Sequence, residues 1–402
     1  MKKRILFVDD EPKILMALRR SLRRFRDQWD MVFAEGGAAG LDECASAPFD
    51  VVVSDARMPG MEGSEFLNEV ARLYPDTVRM ILSGQCSRNS VLKCVAVAHQ
   101  FLSKPCDPEI LKNVLQNVCE TRDHFHHSPH RIDVSRVQRL PSQRCIYKQL
   151  TDAMESPRVS TEELAGILVR DVGMTAKVMQ LVSSGFFGSP QRVENTAEAA
   201  KFLGQEIIGT LVDCSAVFEL HREENAEEDL RQLSDHCFAV SDSATEIAKT
   251  LTNDPRLIGD AHVAGMLHEI GVLALAGRTG DHREPLNPGD NCRKAVDFSN
   301  PVNPDREGGL DPGGYLVALW GLPDPVIQAV SYHRAPNCCP GDALAPLIAV
   351  HVANALLEPC RKPRNGTTTY LKTDFLRKAG CADHLEIWRN ICEARQGEGV
   401  LQ

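Results

Sequence analysis

Apolar residues in the first 122 positions alternate between short runs and longer stripes. Arg4–Val8 is a short apolar run, and in Glu11–Phe25 the apolar residues recur every three or four positions, as in a helix. In Asp50–Ser54 three consecutive valines indicate a strand that is buried on both faces. The same alternation predicts strands at Asp30–Glu35, Val78–Leu82 and Gln100–Leu102, and helices at Gly36–Ser46, Ser64–Tyr74, Asn89–Ala98 and Pro108–Arg122. Five strand-helix units predict an α/β domain built on a doubly wound, five-stranded parallel sheet.

The pattern changes to helical spacing from Leu140 onward, with no strand-like alternation. The longest predicted helix, Glu227–Thr252, repeats its apolar residues at alternating steps of three and four. Further helices are predicted at Met174–Ser183, Thr196–Leu203, Gln205–Glu219, Ala261–Ala276, Gly314–Trp320, Pro325–His333, Leu344–Glu358 and Thr373–Cys392. We therefore expect an α/β domain over residues 1–122, a linker over 123–139, an all-α domain over 140–357 and a C-terminal helical extension over 358–402.

Two segments lack a regular apolar pattern. Residues 123–130 place four histidines within seven positions. That composition suits a metal site or a solvated connector, and we favour the connector. Arg278–Gly314 is rich in Gly, Pro, Asp and Asn, and a loop of that length is expected to be functional or disordered.

Composition narrows the classes of protein. With 402 residues, 43% hydrophobic and 25% charged, the chain suits a globular protein of two or three domains. No apolar run reaches the ~18 residues that span a membrane, and the basic start leads into only a short apolar run before Asp9, which argues against a signal peptide. We therefore expect a cytoplasmic protein with no membrane partner. The 14 cysteines form no Cys-x-x-Cys pair, which argues against a zinc or redox framework.

The charges are divided unevenly between the two halves. Residues 1–122 carry 17 Lys and Arg against 17 Asp and Glu, so the whole net charge of −10 lies in residues 123–402. A domain that grips phosphate backbones needs a basic surface. We therefore expect no nucleic-acid partner for the second half.

Polar side chains cluster where the predicted strands end. Asp9 and Asp10 close the first strand, Asp55 follows the third, Ser83 the fourth and Lys104 the fifth. Ligands of such sheets bind outside the carboxyl ends of the strands. Three carboxylates in one crevice would repel one another unless a cation joined them, and Mg²⁺ prefers oxygen ligands. One carboxylate could then act as a nucleophile toward phosphorus.

These positions and their spacing resemble the receiver domain of two-component response regulators, which has a flavodoxin-like fold, across residues 3–122. The resemblance rests on five features, namely Asp9-Asp10, Asp55-Ala56-Arg57-Met58-Pro59-Gly60-Met61-Glu62-Gly63, Ser83, Phe101 and Lys104-Pro105. It implies that Asp55 accepts a phosphoryl group from a sensor histidine kinase. It also implies that Lys104 pairs with the phosphoryl group, while Ser83 and Phe101 switch position. The implied Mg²⁺ ligands are Asp9, Asp10, Asp55 and the main-chain carbonyl of Arg57.

The second half is similar to the HDOD domain, a helical relative of the HD-type metal phosphohydrolases, over about residues 138–357. The similarity is carried by Leu140-Pro141, Asp171–Val178, Val182–Gly188, Ala199–Gly204, Gly265–Gly271, Trp320–Pro323 and Tyr332-His333. The family is regarded as non-catalytic and protein-binding, which implies a signalling role for this half.

The positions that would hold metals in the hydrolases are only partly retained. The candidates are His236, His268, Glu269 and His333, and we interpret them as a vestigial site. Glu269 stands where the hydrolases have aspartate, Arg334 follows where a second histidine would be expected, and Asp311 replaces another histidine. Because metal catalysis needs a nearly complete ligand set, we expect packed histidines without a metal.

The sequence therefore predicts a response regulator in which phosphorylation of Asp55 controls a non-catalytic helical domain. Its expected partners are a sensor histidine kinase and an unknown downstream signalling protein, and a homodimer stays open. The alternative is a receiver-regulated, metal-dependent phosphodiesterase or phosphohydrolase.

Overall fold

A five-stranded parallel sheet with helices on both faces forms the first part of the chain. The computed structural model describes residues 2–84, 88–126, 134–156, 158–188, 195–214, 217–220, 224–276, 310–357 and 371–398. The strands are β1 (Lys3–Asp9), β2 (Trp29–Glu35), β3 (Val51–Ser54), β4 (Val78–Gly84) and β5 (Gln100–Lys104). Their order across the sheet is β2-β1-β3-β4-β5, and every pair is parallel, so the predicted doubly wound sheet is confirmed.

Five helices pack around this sheet: α1 (Pro12–Ser21), α2 (Gly37–Ser46), α3 (Gly63–Leu73), α4 (Arg88–Lys93) and α5 (Pro108–His124). Helix α5 begins where the Asp107 side chain accepts a hydrogen bond from the Glu109 N–H, which satisfies a donor that the first turn leaves open. The prediction that α4 continues to Ala98 is wrong, since turns replace the helix after Lys93.

The second part is largely helical, as predicted. Its helices are α6 (Arg144–Met154), α7 (Thr161–Leu168), α8 (Val172–Ser183), α9 (Thr196–Asp213), α10 (Glu224–Leu251), α11 (Pro255–Leu267), α12 (Ile270–Ala276), α13 (Pro312–Leu319), α14 (Asp324–Tyr332), α15 (Ala345–Leu357), α16 (Thr373–Lys378) and α17 (Leu385–Glu398). Among the described residues, none of the helices combines the length and apolar character needed to cross a membrane.

The helical part also contains two short strands that the sequence did not predict. β6 (Leu140–Ser142) pairs in parallel with β7 (Phe218–Leu220), so the predicted absence of strands was wrong. The predicted helix Gln205–Glu219 also ends too late, because α9 stops at Asp213. Strands of three residues are too short to show a period of two, which explains why the pattern did not reveal them.

A turn divides the predicted helix Ala261–Ala276 into α11 and α12 at His268 and Glu269. The break places both side chains in the buried interior of the helical part, where neither is more than 2% exposed. The predicted loop Arg278–Gly314 lies almost wholly outside the described residues, as do His127 and His130 of the histidine-rich tract.

The two parts share one continuous apolar core. Helix α5 leaves the sheet and packs on α13, where the rings of Phe125 and Tyr315 lie 5.3 Å apart between centroids. Nearby, His124 Nε2 lies 3.1 Å from the Tyr332 hydroxyl of α14. The end of α5 is therefore held directly against the helical part.

Candidate functional site

The carboxyl ends of β1, β3 and β5 bring together two acids and one lysine. Lys104 Nζ lies 2.5 Å from Asp55 Oδ1 and 2.6 Å from Asp9 Oδ2. The sheet register explains this meeting, because Val8 pairs with Ser54, so the residues that follow them lie side by side. Asp9 and Asp55 are almost completely buried, whereas the Lys104 side chain keeps 19% of its surface exposed.

Burial and ion pairing shape the protonation of this cluster. Burial raises the pKa of Asp9 above its usual value, although the hydrogen bond from Lys104 opposes that rise. Burial alone would lower the pKa of Lys104, but its hydrogen bonds to Asp55 and Asp9 outweigh it and raise the pKa. The lysine therefore stays charged and neutralises part of the acidic charge in the crevice.

The other predicted residues lie around this cluster in different settings. Asp10 is exposed, next to Asp9 in the chain. The Arg57 main-chain N–H donates to Asp55 Oδ2 over 2.6 Å and so fixes the rotation of that carboxylate. Phe101 is fully buried on β5, where it pairs with Ile81 of β4.

Ser83, at the end of β4, is buried and its hydroxyl finds no hydrogen-bond partner among the described residues. A buried hydroxyl without a partner costs free energy, about 1–3 kcal/mol. A phosphoryl oxygen on Asp55 would supply an acceptor for it. This observation and the oxygen-rich donor set fit the expected pairing of a phosphoryl group with Mg²⁺.

The loop that follows Asp55 depends on close backbone packing at Gly63. A Cβ atom at this position would lie 2.1 Å from the Asp55 carbonyl oxygen, a distance that no side chain tolerates. The Gly63 N–H also donates to the Ala56 carbonyl over 3.1 Å. The final glycine of the quoted motif is therefore required to fold the loop back against the acidic cluster.

A second buried polar cluster lies in the helical part, around His236, His268 and His333. The rings of His268 and His333 are 5.1 Å apart between centroids, and those of His236 and His268 are 5.2 Å apart. His268 Nδ1 donates to the Gly265 carbonyl, and His333 Nδ1 donates to the Val330 carbonyl. These bonds leave both Nε2 atoms as acceptors in the neutral rings, which is the form that binds metals.

Glu269 and Arg334 complete this second cluster. Arg334 donates from Nε to His333 Nε2 over 3.1 Å and from a terminal nitrogen to Glu269 Oε1 over 2.5 Å. Burial, and next the neighbouring Arg334 charge, hold the pKa of His333 well below its usual value. The guanidinium therefore contacts both an acid and an imidazole that a metal ion would otherwise use.

Two residues of the second cluster have roles that the sequence did not assign. Asn354 of α15 places its Oδ1 atom 3.0 Å from His236 Nε2. Asp311, expected to replace a metal-binding histidine, caps α13 by accepting from the Gly313 N–H over 2.7 Å. The available signal for Asn354 was that it and His351 are the two polar residues in the otherwise apolar helix 345–357.

Two family models match the chain. The response regulator receiver domain matches residues 5–116, and the HDOD domain matches residues 140–336. The two matches cover the sheet part and the helical part, respectively, and they agree with both resemblances drawn from the sequence.

Curated relatives match half of the chain or less. An uncharacterized protein of Treponema pallidum is 23% identical over 199 residues, covering 50% of this chain and 38% of the relative. The hydrogenase transcriptional regulatory protein HoxA of Cupriavidus necator is 32% identical over 136 residues, covering 32% of this chain and 27% of the relative. The chain thus spans well under half the length of these relatives.

Solved structures match less than a third of the chain. The signal receiver domain of an HD domain-containing protein from Pseudomonas fluorescens is 28% identical and covers 31% of this chain and 99% of that one, with a TM-score of 0.29. The chemotaxis protein CheY4 of Vibrio cholerae is 31% identical and covers 29% of this chain and 99% of that one, with a TM-score of 0.27.

The matches divide the chain at the same place as its fold. A receiver domain implies a two-component response regulator with a cognate histidine kinase, which is not identified. The chain is therefore a response regulator that carries an N-terminal receiver domain and a C-terminal HDOD domain.

Proposed function

We propose that Asp55 accepts a phosphoryl group from a sensor histidine kinase and that this event controls a non-catalytic, protein-binding HDOD domain. The observation that carries the proposal is the convergence of Asp9, Asp55 and Lys104 at the strand ends. Mg²⁺ would be held by Asp9, Asp10, Asp55 and the Arg57 carbonyl, where it would neutralise the charge of the incoming phosphoryl group.

The residues of the site have different roles in phosphoryl transfer. A carboxylate oxygen of Asp55 attacks phosphorus, the bond from phosphorus to the donor atom breaks, and the electron pair of that bond leaves with the donor. The Arg57 N–H fixes the other carboxylate oxygen, which aims the attacking one. The Lys104 ammonium stabilises the negative charge, and the Ser83 hydroxyl donates to a phosphoryl oxygen.

Labelling with acetyl phosphate in the presence of Mg²⁺ tests this assignment. We expect the parent chain to be labelled and Asp55→Asn to take up no label, because the amide is not a nucleophile. Asp30→Asn, an exposed acid on β2 of the same domain, is the matched control and should label like the parent. Equal labelling of Asp55→Asn and the parent would disprove the phosphoacceptor role.

The charge arrangement of the helical cluster supports a non-catalytic HDOD domain. Arg334 brings a permanent positive charge within hydrogen-bond distance of Glu269 and His333, so a dication at the same place would be repelled. The domain then acts by binding proteins. Its downstream signalling partner, with a homodimer as a further assembly, belongs to this proposal.

A receiver-regulated metal hydrolase is the second candidate, because one ligand atom each of His236, His268 and Glu269 lies within 4.8 Å of the others. Hydrolysis of bis-p-nitrophenyl phosphate by the full chain with Mn²⁺, lost in His268→Ala, would favour this candidate. Our proposal predicts no hydrolysis above that of the His268→Ala variant.

A further inference from the structure

Helix α8 of the HDOD domain holds main-chain carbonyls of the receiver domain. Lys177 Nζ donates to the Val95 carbonyl over 3.2 Å. Gln180 Nε2 donates to the Ala98 carbonyl over 2.8 Å and approaches the His99 carbonyl at 3.3 Å. These carbonyls belong to residues 94–99, the turn region between α4 and β5, which we call the α4–β5 segment.

The receiver domain also forms hydrogen bonds to the same segment. Arg79 of β4 donates from Nε to the Val97 carbonyl over 2.7 Å and from a terminal nitrogen to the Ser135 carbonyl over 2.7 Å. Ser135 lies in the connector and donates to the Pro75 carbonyl over 2.7 Å. Side chains from β4 and α8 thus bond to several carbonyls of the α4–β5 segment, and Arg79 also bonds to the connector through Ser135.

The side chain of Lys177 is buried where it contacts the α4–β5 segment. Its side chain lies in an interior position, 3% exposed, with Nζ 5.7 Å from the centroid of the Trp320 ring. It forms no ion pair with a carboxylate among the described residues, so its hydrogen bonds to Val95 and Gln180 and the face of an aromatic ring must stabilise the amine. Burying a lysine is unfavourable unless its N–H donors are hydrogen-bonded. The buried position of Lys177 therefore depends on its hydrogen bond to the α4–β5 segment.

The α4–β5 segment leads directly into β5, which carries Phe101 and Lys104. The first residue of that strand, Gln100, also packs against the HDOD domain. A Cβ atom at Gly321, where φ is +78°, would lie 3.1 Å from Gln100 Nε2. The HDOD domain therefore contacts the entry to the strand whose far end carries the lysine of the phosphorylation site.

We infer that Lys177 and Gln180 form an autoinhibitory latch, which holds the α4–β5 segment in its present arrangement and opposes phosphorylation of Asp55. The inference rests on the proposed function, since it assumes that Asp55 is the acceptor. These two side chains mark the surface through which the HDOD domain regulates the receiver domain.

The direction of the effect follows from Lys104. In this arrangement the ammonium bonds directly to Asp55 and Asp9, the carboxylates that a phosphoryl group and Mg²⁺ would engage. That arrangement must change when a phosphoryl oxygen arrives. We take the change to move β5 together with the α4–β5 segment that leads into it, which breaks the hydrogen bonds of Lys177 and Gln180. Removing these bonds then makes the change easier, because they stabilise only the present arrangement.

Affinity for beryllofluoride, a mimic of the acyl phosphate, tests the latch in the full chain with Mg²⁺. Lys177→Met and Gln180→Met keep the length of the side chain and remove the donors to the segment. Each should bind beryllofluoride roughly fivefold more tightly than the parent, equivalent to about 1 kcal/mol for the lost hydrogen bonds. Lys148→Met and Gln205→Met, at exposed positions on α6 and α9, are the matched controls and should bind like the parent.

The outcomes separate the latch from the proposed function. If the parent binds beryllofluoride and both latch variants bind it equally or more weakly, the latch is wrong and the phosphoacceptor role stands. If neither the parent nor either latch variant binds, the phosphoacceptor role is wrong and the latch falls with it.

Hydrogen exchange of the parent chain tests the latch without any substitution, in case a variant fails to fold. Coupling between two sites is reciprocal, so beryllofluoride should weaken the contacts of α8 with the α4–β5 segment. We expect faster exchange in residues 94–99 and in α8 at saturating beryllofluoride. Unchanged or slower exchange in both would overturn the latch.

Discussion

The proposed phosphorylation site and the helical histidine cluster differ in the basic side chain that lies beside their buried carboxylates. Both bury carboxylates beside a basic side chain from a distant part of the sequence. At the proposed phosphorylation site the base is Lys104, whose single ammonium contacts Asp9 and Asp55 at a partly exposed position. In the helical cluster the base is Arg334, whose guanidinium contacts Glu269 and His333. Its side chain is only 8% exposed.

The difference between the two bases decides what each cluster can accept. A lysine ammonium sits on a flexible stem and exchanges one acceptor for another, so it can turn from a carboxylate to a phosphoryl oxygen. An arginine guanidinium is planar, permanently charged and fixed by two partners at once. We therefore expect the first cluster to accept a new ligand and the second to be closed by its own side chains.

Removing the arginine should have the largest effect. Arg334→Met leaves Glu269 buried without its cation, so we expect a loss of about 3–5 kcal/mol in the free energy of unfolding. Urea unfolding followed by tryptophan fluorescence measures this loss, since Trp320 and Trp388 both lie in the helical part. Arg377→Met is the control, because its ion pair with Asp374 is exposed and should contribute less than about 1 kcal/mol. Equal losses in the two variants would contradict a closed cluster.

Acid should weaken the helical domain by a smaller amount. Burial lowers the pKa of His351 to about 4, so the unfolded chain, with a pKa of about 6.5, binds a proton first as the pH falls. Stability is therefore lost below about pH 6.5, by about 2 kcal/mol between pH 7 and pH 5 for this residue. His333 and His262, whose pKa values are also lowered by burial, act in the same direction.

Urea unfolding of the parent and of His351→Gln at the two pH values checks the acid effect. Glutamine keeps a donor for the His333 carbonyl and an acceptor for the Lys372 N–H, but it does not titrate. The variant should lose less stability than the parent on acidification. The same pH dependence in both proteins would show that His351 does not contribute.

Removing the lysine should have the smallest effect, and Mg²⁺ should reverse it. Lys104→Met leaves Asp9 and Asp55 facing each other without their cation. Asp9 can relieve the repulsion by binding a proton, because burial already raises its pKa, so we expect a loss of only about 1–2 kcal/mol. Millimolar Mg²⁺ should raise the melting temperature of this variant more than that of the parent.

Lys93→Met is the control for the lysine experiment, because its ion pair with Glu62 is exposed. It should respond to Mg²⁺ like the parent. A melting temperature of Lys104→Met that is insensitive to Mg²⁺ would mean that the crevice does not accept the cation.

The sequence predicted the sheet domain well because its signals are local. Short valine-rich runs and helical stripes alternate with regular spacing, and the polar residues sit at strand ends that a parallel sheet must align. Asp9, Asp55 and Lys104 therefore meet as the pattern required. Two helices of this domain were predicted too long, since α1 ends at Ser21 rather than Phe25 and α4 ends at Lys93 rather than Ala98. The second error has a tertiary cause, because side chains from β4 and α8 bond to carbonyls beyond Lys93.

The helical domain was harder to predict because its polar contacts link distant residues. The pair of three-residue strands and the break at His268 leave no periodic signal. Lys177 and Gln180 could have been noticed as two polar residues in an apolar helix, but only the structure shows that they face another domain. The role of Asn354 likewise depends on its contact with His236, which lies 118 positions away in the sequence.

Titration of the full chain with Mn²⁺, a spectroscopic substitute for Mg²⁺, tests the contrast between the two clusters most directly. We predict one bound ion per chain, with an affinity at least about tenfold weaker in Asp10→Asn and unchanged in His268→Ala. A second ion per chain that is lost in His268→Ala would contradict it, because the helical cluster would then be an open metal site despite Arg334.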